Sequence, residues 1–236
     1  MITPLYDHNG IRIFAHNVGD WLVQAGEPID CVITDPPYHL RRAVVTLDEE
    51  TDKEARTVNE ASWFIQLSAW YQAWLALLQP RLAGGPAWIF ADMSDYAGVM
   101  LRSLKIMDWP IQRIWSLPGQ EILILAGKQP ITDAAAADVQ AALSRHGAVT
   151  VKPVELIAAL LKASDLPTSA LICDPFMGDG STLVAAKQGG YRAVGIEYRD
   201  ARCATAIQAL ARLATEVMPV GRCAVCGPNS ACVGCA

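Results

Sequence analysis

Residues 31–38 read Cys31-Val32-Ile33-Thr34-Asp35-Pro36-Pro37-Tyr38. The first four read as a buried parallel strand that empties into a rigid turn. Each proline fixes φ and removes a backbone donor, so the carbonyls of the turn remain as acceptors. Asp35 adds a carboxylate and Tyr38 a flat ring. Open α/β sheets bind ligands at the carboxyl ends of their strands. The turn therefore suits an amino group carried on a flat ring. A plain proline turn is the alternative, and a second stretch far downstream decides between them.

That stretch is Asp174-Pro175-Phe176-Met177-Gly178-Asp179-Gly180-Ser181-Thr182, preceded by the strand-like Leu171-Ile172-Cys173. It reads as a strand, a glycine-rich turn and a helix start, where glycines let a ligand approach the backbone. Ala193 to Ile196 is the next strand and ends at Glu197, the place where dinucleotide sites set an acid on ribose hydroxyls. The turn is not G-x-G-x-x-G, and it offers Asp174 and Asp179 where a pyrophosphate wants neutral amides. A ligand with an ammonium or sulfonium and a ribose fits better than a dinucleotide.

With both stretches quoted, the chain resembles the beta group of the amino-methyltransferases of DNA. Asp35-Pro36-Pro37-Tyr38 matches that family's catalytic motif without departure, and residues 174–182 match its S-adenosylmethionine motif, with Asp179 where serine is usual. Thr150-Val151-Lys152-Pro153-Val154-Glu155 resembles the segment that precedes the cofactor motif; its usual His-Pro opening is Ala148-Val149 here. The catalytic motif coming first marks the beta order. The resemblance implies a Rossmann-like, seven-stranded, mostly parallel sheet with one antiparallel strand. It implies S-adenosylmethionine as cofactor, held by Asp20, Lys152, Asp174, Pro175, Phe176, Gly178, Gly180, Ser181, Thr182 and Glu197. It also implies methylation of the N6 amine of adenine in DNA, with Asp35, Pro36, Pro37 and Tyr38 holding an extruded base. N4 of cytosine, an RNA substrate and a non-catalytic binding relic are the alternatives.

The 236 residues fit one large α/β domain. We expect it over residues 1–217, with a mobile loop at 39–59 and a reduced target-recognition region at 128–150, which implies low sequence specificity or recognition carried by the 39–59 loop. A net charge of −5 means that any nucleic-acid contact rests on a local patch. Met1 to Asp7 has neither the basic start nor the apolar core of a signal peptide, so a cytoplasmic protein is expected; a bacterial or phage origin is what the family resemblance implies.

Ala61 to Pro80 carries no charge and is long enough to span a bilayer. Its Ser62, Gln66, Ser68, Gln72 and Gln79 argue instead for a buried helix in a chain with no membrane partner. Its tryptophans, Trp63, Trp70 and Trp74, either fill the core or join two copies as a homodimer. Cys31 and Cys173 read as inert core residues. Cys223-x-x-Cys226 and Cys232-x-x-Cys235 suit a structural zinc ion, with an oxidisable tail over residues 218–236 as the alternative.

Overall fold

The computed structural model describes residues 2–24, 26–37, 60–92, 95–117, 121–145 and 151–216. Tyr38, the 39–59 loop and the four cysteines of the tail lie outside them. In chain order the elements are β1 (Tyr6–His8), β2 (Ile11–Ala15), α1 (Val18–Gln24), β3 (Cys31–Thr34) and α2 (Glu60–Leu78). There follow β4 (Pro86–Asp92), α3 (Asp95–Ile106), β5 (Ile111–Leu117), β6 (Glu121–Gly127) and α4 (Asp133–Arg145). The last are α5 (Val154–Ala163), β7 (Leu171–Asp174), α6 (Ser181–Gln188), β8 (Arg192–Glu197) and α7 (Asp200–Glu216).

The strands form one sheet in the order β1-β2-β8-β7-β3-β4-β6-β5. From β2 to β4 all neighbours are parallel, while β6 runs against β4 and β5. The expected seven strands are therefore eight among the described residues, and two of them, β1 and β6, run against the rest. The added strand is made by turn chemistry. Asn9 and Gly10 both take positive φ, 50° and 78°, and join β1 to β2 as a two-residue hairpin. Asn-Gly is the preferred pair for such a turn because both central residues must be left-handed.

Two apolar layers follow from strand alternation. Cys31 and Ile33, Trp88 and Phe90, Leu123 and Leu125 face the layer covered by α4 to α7. Val32, Ala87, Ile89, Ile122 and Ile124 face the layer covered by α1 to α3. Strands buried on both faces have no polar face to show, which is why they read as unbroken apolar runs.

In α2, Leu67, Tyr71, Trp74, Leu75 and Leu78 are buried in the second layer, and Trp70 packs half-buried against it. The side turned to water carries Ala69, Ala73 and Ala76, with Ile65 left 70% exposed. Trp70, Tyr71 and Trp74 are thus packed within the chain. Among the described residues no helix is long and apolar enough to cross a membrane. Residues 133–145, alanine-rich in sequence, form α4. Its Ala136, Val139, Ala142 and Leu143 pack into the first layer, where small side chains admit a neighbouring helix closely.

At the centre of the sheet β3 and β7 are paired only through Cys31↔Ile172 and Val32↔Cys173. From here the chain winds outward in opposite directions, from β7 to β8 and from β3 to β4. Such a reversal leaves a crevice beyond the strand ends, where α/β proteins hold ligands.

Candidate active site

Both motifs meet in that crevice. Thr34, Asp35, Lys152, Asp174, Phe176, Met177, Gly178, Asp179, Ser181, Thr182 and Arg202 line one cleft, closed below by Ile33, Phe90 and Ile157. Asp35 follows β3 and is partly exposed, Pro36 is buried, and Pro37 faces water.

Asp174 ends β7 and is buried. Its Oδ1 accepts from Thr34 Oγ1 at 3.0 Å and from the Phe176 amide at 3.1 Å, and its Oδ2 accepts from Thr182 Oγ1 at 2.6 Å. The carboxyl thus ties the end of β3, the glycine-rich turn and α6 into one unit. Burial pushes its pKa up to about 7, against the pull of those hydrogen bonds.

The turn itself is fixed at Gly180, which caps α6 at φ 87°. A Cβ there would lie 2.7 Å from the Cβ of Ala206 on α7, so the position admits glycine for two separate reasons. Phe176 leaves the turn and packs edge-on against Trp74 and at a tilt against Trp70, each with centroids 5.4 Å apart. Trp70 and Trp74 of α2 therefore wall the 174–182 turn.

Glu197 and Asp20 stand farther along the same edge. Glu197 ends β8 and is buried; its Oε1 accepts from the Arg199 amide at 2.9 Å. Its neighbour in register is Ala15 at the end of β2, and the His16 amide donates to the Glu197 carbonyl at 3.1 Å. Asp20 is exposed in the first turn of α1, just beyond β2. Neither side chain lines the central cleft, so the expected site residues form a central group and a lateral pair.

Lys152 is not where the cofactor side alone would put it. Its Nζ pairs with Asp35 Oδ2 at 3.0 Å and with Glu121 Oε1 at 2.8 Å, and it lies 5.0 Å from the centre of the Phe90 ring. Burial opposes its charge, yet Asp35 and Glu121 together hold its pKa above the ordinary lysine value. Burial raises the pKa of Glu121, and the nearby Asp35 and Asp92 carboxylates add to that, against the pull of Lys152.

Sequence reasoning missed Glu121, Thr34 and Arg202. For Glu121 a signal existed: the first residue of an antiparallel strand falls at the carboxyl edge of its parallel neighbours.

The buried thiols Cys31, Cys173 and Cys203 do not line the cleft. Burial pushes Cys31 up to about 12, Cys203 up to about 11 and Cys173 well above the ordinary value, so none supplies a thiolate near neutral pH. Among the described residues no group of His, Cys, Asp or Glu is arranged to hold a metal ion.

Residues 108–208 match the family model described as DNA methylase. No curated protein matches the chain in sequence. Among solved structures, the cytosine-N4-specific PvuII DNA methyltransferase superposes with a TM-score of 0.62 at 14% identity, covering 88% of this chain and 89% of that one. TTHA0409 of Thermus thermophilus, described as a DNA modification methylase and complexed with S-adenosyl-L-methionine, gives 0.58 at 17% identity, covering 85% and 93%. M1.HpyAVI gives 0.54 at 15% identity, covering 85% and 98%. Identities this low speak for the fold alone. The family match thus covers the cofactor-motif half of the chain, and the fold is the one these solved DNA methyltransferases share.

Proposed function

We propose that the protein transfers a methyl group from S-adenosylmethionine to an exocyclic amine of a DNA base, N6 of adenine being the preferred target. The observation that carries this reading is the meeting of Asp35 and the 174–182 turn in one cleft at the centre of the sheet. The family match and the methyltransferase fold support it. So does the cofactor bound to a neighbour of that fold.

The residues fit the cofactor. Asp179 offers a carboxylate to its ammonium, and Ser181 and Arg202 offer donors to its carboxylate, all from the lining of the cleft. Phe176 supplies an apolar wall, Glu197 a carboxylate for ribose hydroxyls, and Asp20 an acceptor at the adenine end. S-adenosylmethionine would supply an electrophilic methyl on a sulfonium, which the acidic cleft favours.

The substrate amine is a weak nucleophile because its lone pair is delocalised into the ring. Asp35 and the Pro36 carbonyl would accept its two N–H groups and draw the nitrogen toward tetrahedral geometry, leaving the lone pair aimed across the cleft. Tyr38 would stack on the extruded base, since enzymes that act on a base take it out of the helix. Positioning then supplies most of the rate. The short region at 128–150 supports low sequence specificity, and the four tail cysteines support a structural zinc ion outside the reaction.

The test is transfer of label from S-adenosylmethionine to unmethylated DNA, followed by nucleoside analysis, with Asp35→Ala beside the wild type. Label in N6-methyladenine with the wild type alone is expected. Label in cytosine would correct the base and keep the mechanism. Cofactor binding without label in DNA or RNA would overturn the reading.

A further inference from the structure

Glu121 lies in neither motif, yet it reaches the catalytic turn through one side chain. It opens β6, and because β6 runs against β4 this first residue stands opposite Asp92, the last residue of β4. The carboxylate is thereby delivered to the edge where the parallel strands end. Lys152 arrives from the segment before α5 and bridges Glu121 and Asp35.

Two features separate this bridge from an ordinary surface pair. The Lys152 side chain is only 8% exposed, and its ammonium sits over Phe90 as well as between two carboxylates. A lysine head on a four-carbon stem has wide freedom unless its direction is fixed from several sides. Here it is fixed from three. Without Glu121 the ammonium would keep its pair with Asp35 but lose one of the three contacts that set its direction.

We propose that Glu121 is a positioning residue: it anchors Lys152, which fixes the Asp35 carboxylate before the substrate amine arrives. The inference rests on the role of Asp35 as acceptor for that amine.

The experiment uses the full chain and the Glu121→Gln, Glu121→Asp and Lys152→Met variants. A proton–nitrogen spectrum of the lysine ammonium groups reads the clamp without any turnover. One persistent ammonium signal, assigned by its loss in Lys152→Met, is expected to disappear in Glu121→Gln and return in Glu121→Asp. In labelled transfer assays kcat of Glu121→Gln is expected to fall between about ten- and a hundredfold, the scale set by a small misplacement of a reacting group. The Kd for S-adenosylmethionine, read by calorimetry, is expected to stay within about twofold of wild type, since Glu121 is placed to act on the turn and not on the cofactor.

An unchanged ammonium signal in Glu121→Gln overturns the proposal, as does a loss of cofactor affinity equal to the loss of rate. If the wild type transfers no methyl to any nucleic acid, the role of Asp35 fails, and the ammonium spectrum alone decides whether Glu121 holds Lys152.

Discussion

Thr34 Oγ1 donates to Asp174 Oδ1 at 3.0 Å, across the point where β3 and β7 cease to pair. The bond continues in side chains what the backbone ladder leaves off. It also places the residue before Asp35 in contact with the residue that opens the 174–182 turn. Thr34→Val keeps the shape and removes the donor. The buried carboxyl then keeps the Phe176 amide and Thr182 but loses one of its three donors, at a cost of about 0.5–1.5 kcal/mol. Urea unfolding should show that loss, and Thr34→Ser should recover most of it. A Thr34→Val protein as stable as wild type would remove the brace from the account.

The pH dependence of stability follows from Asp174. Its pKa rises from 3.8 to about 7 on folding, with burial as the main cause. Below about pH 4 the group is protonated in both states, and its contribution is fully present. As pH rises through 7 the folded state must hold a buried charge, and the contribution is lost. The stability of wild type relative to Asp174→Asn should therefore decline between pH 4 and 7 and level off above. Denaturant titrations across that range would show it; a difference independent of pH would contradict the assignment.

Gly180→Ala meets two obstacles at once, a left-handed backbone and the Ala206 side chain. We expect a stability loss of about 1–3 kcal/mol, the usual cost of a strained φ/ψ. A weaker Kd for S-adenosylmethionine should accompany it, since the same turn borders the cleft. Calorimetry on folded protein checks the second effect. Unaltered affinity would detach the turn from the cofactor.

Gly10→Ala provides the contrast. Gly10 is also left-handed, at φ 78°, but its nearest neighbour would be Arg192 Cγ at 3.4 Å; it turns the β1–β2 hairpin, and its carbonyl accepts from the Ala193 amide at 3.0 Å. The substitution should cost about 1–2 kcal/mol in stability and leave the rate of methyl transfer per folded molecule unchanged. A rate reduced more than the folded fraction would tie the outer edge of the sheet to the site.

The parts of the site that were legible in sequence were local ones. Asp35-Pro36-Pro37 and the 174–182 turn each carry their chemistry within a few residues, and each sits at a strand end marked by an apolar run. β1 carried no such mark. Tyr6, Asp7 and His8 are mostly exposed at a sheet edge, so only the Asn9-Gly10 turn announced the strand. α4 was hidden by alanines, whose buried face is too small to stand out from its exposed one. Lys152 was legible as a site residue but not by its contacts. Its partners come from β6 and the turn after β3, and no spacing in the chain links residues 35, 121 and 152.

The two-pair seam between β3 and β7 is the shortest in the sheet among the described strands. On the proposed reading the cofactor belongs to the β7 side and the base to the β3 side. Donor and acceptor are then carried on separate panels, and the methyl group travels across the joint. A small twist along that joint would change the distance of transfer while leaving both binding surfaces intact. Affinity and rate can thus be altered independently, by substitutions within a panel in one case and along the joint in the other.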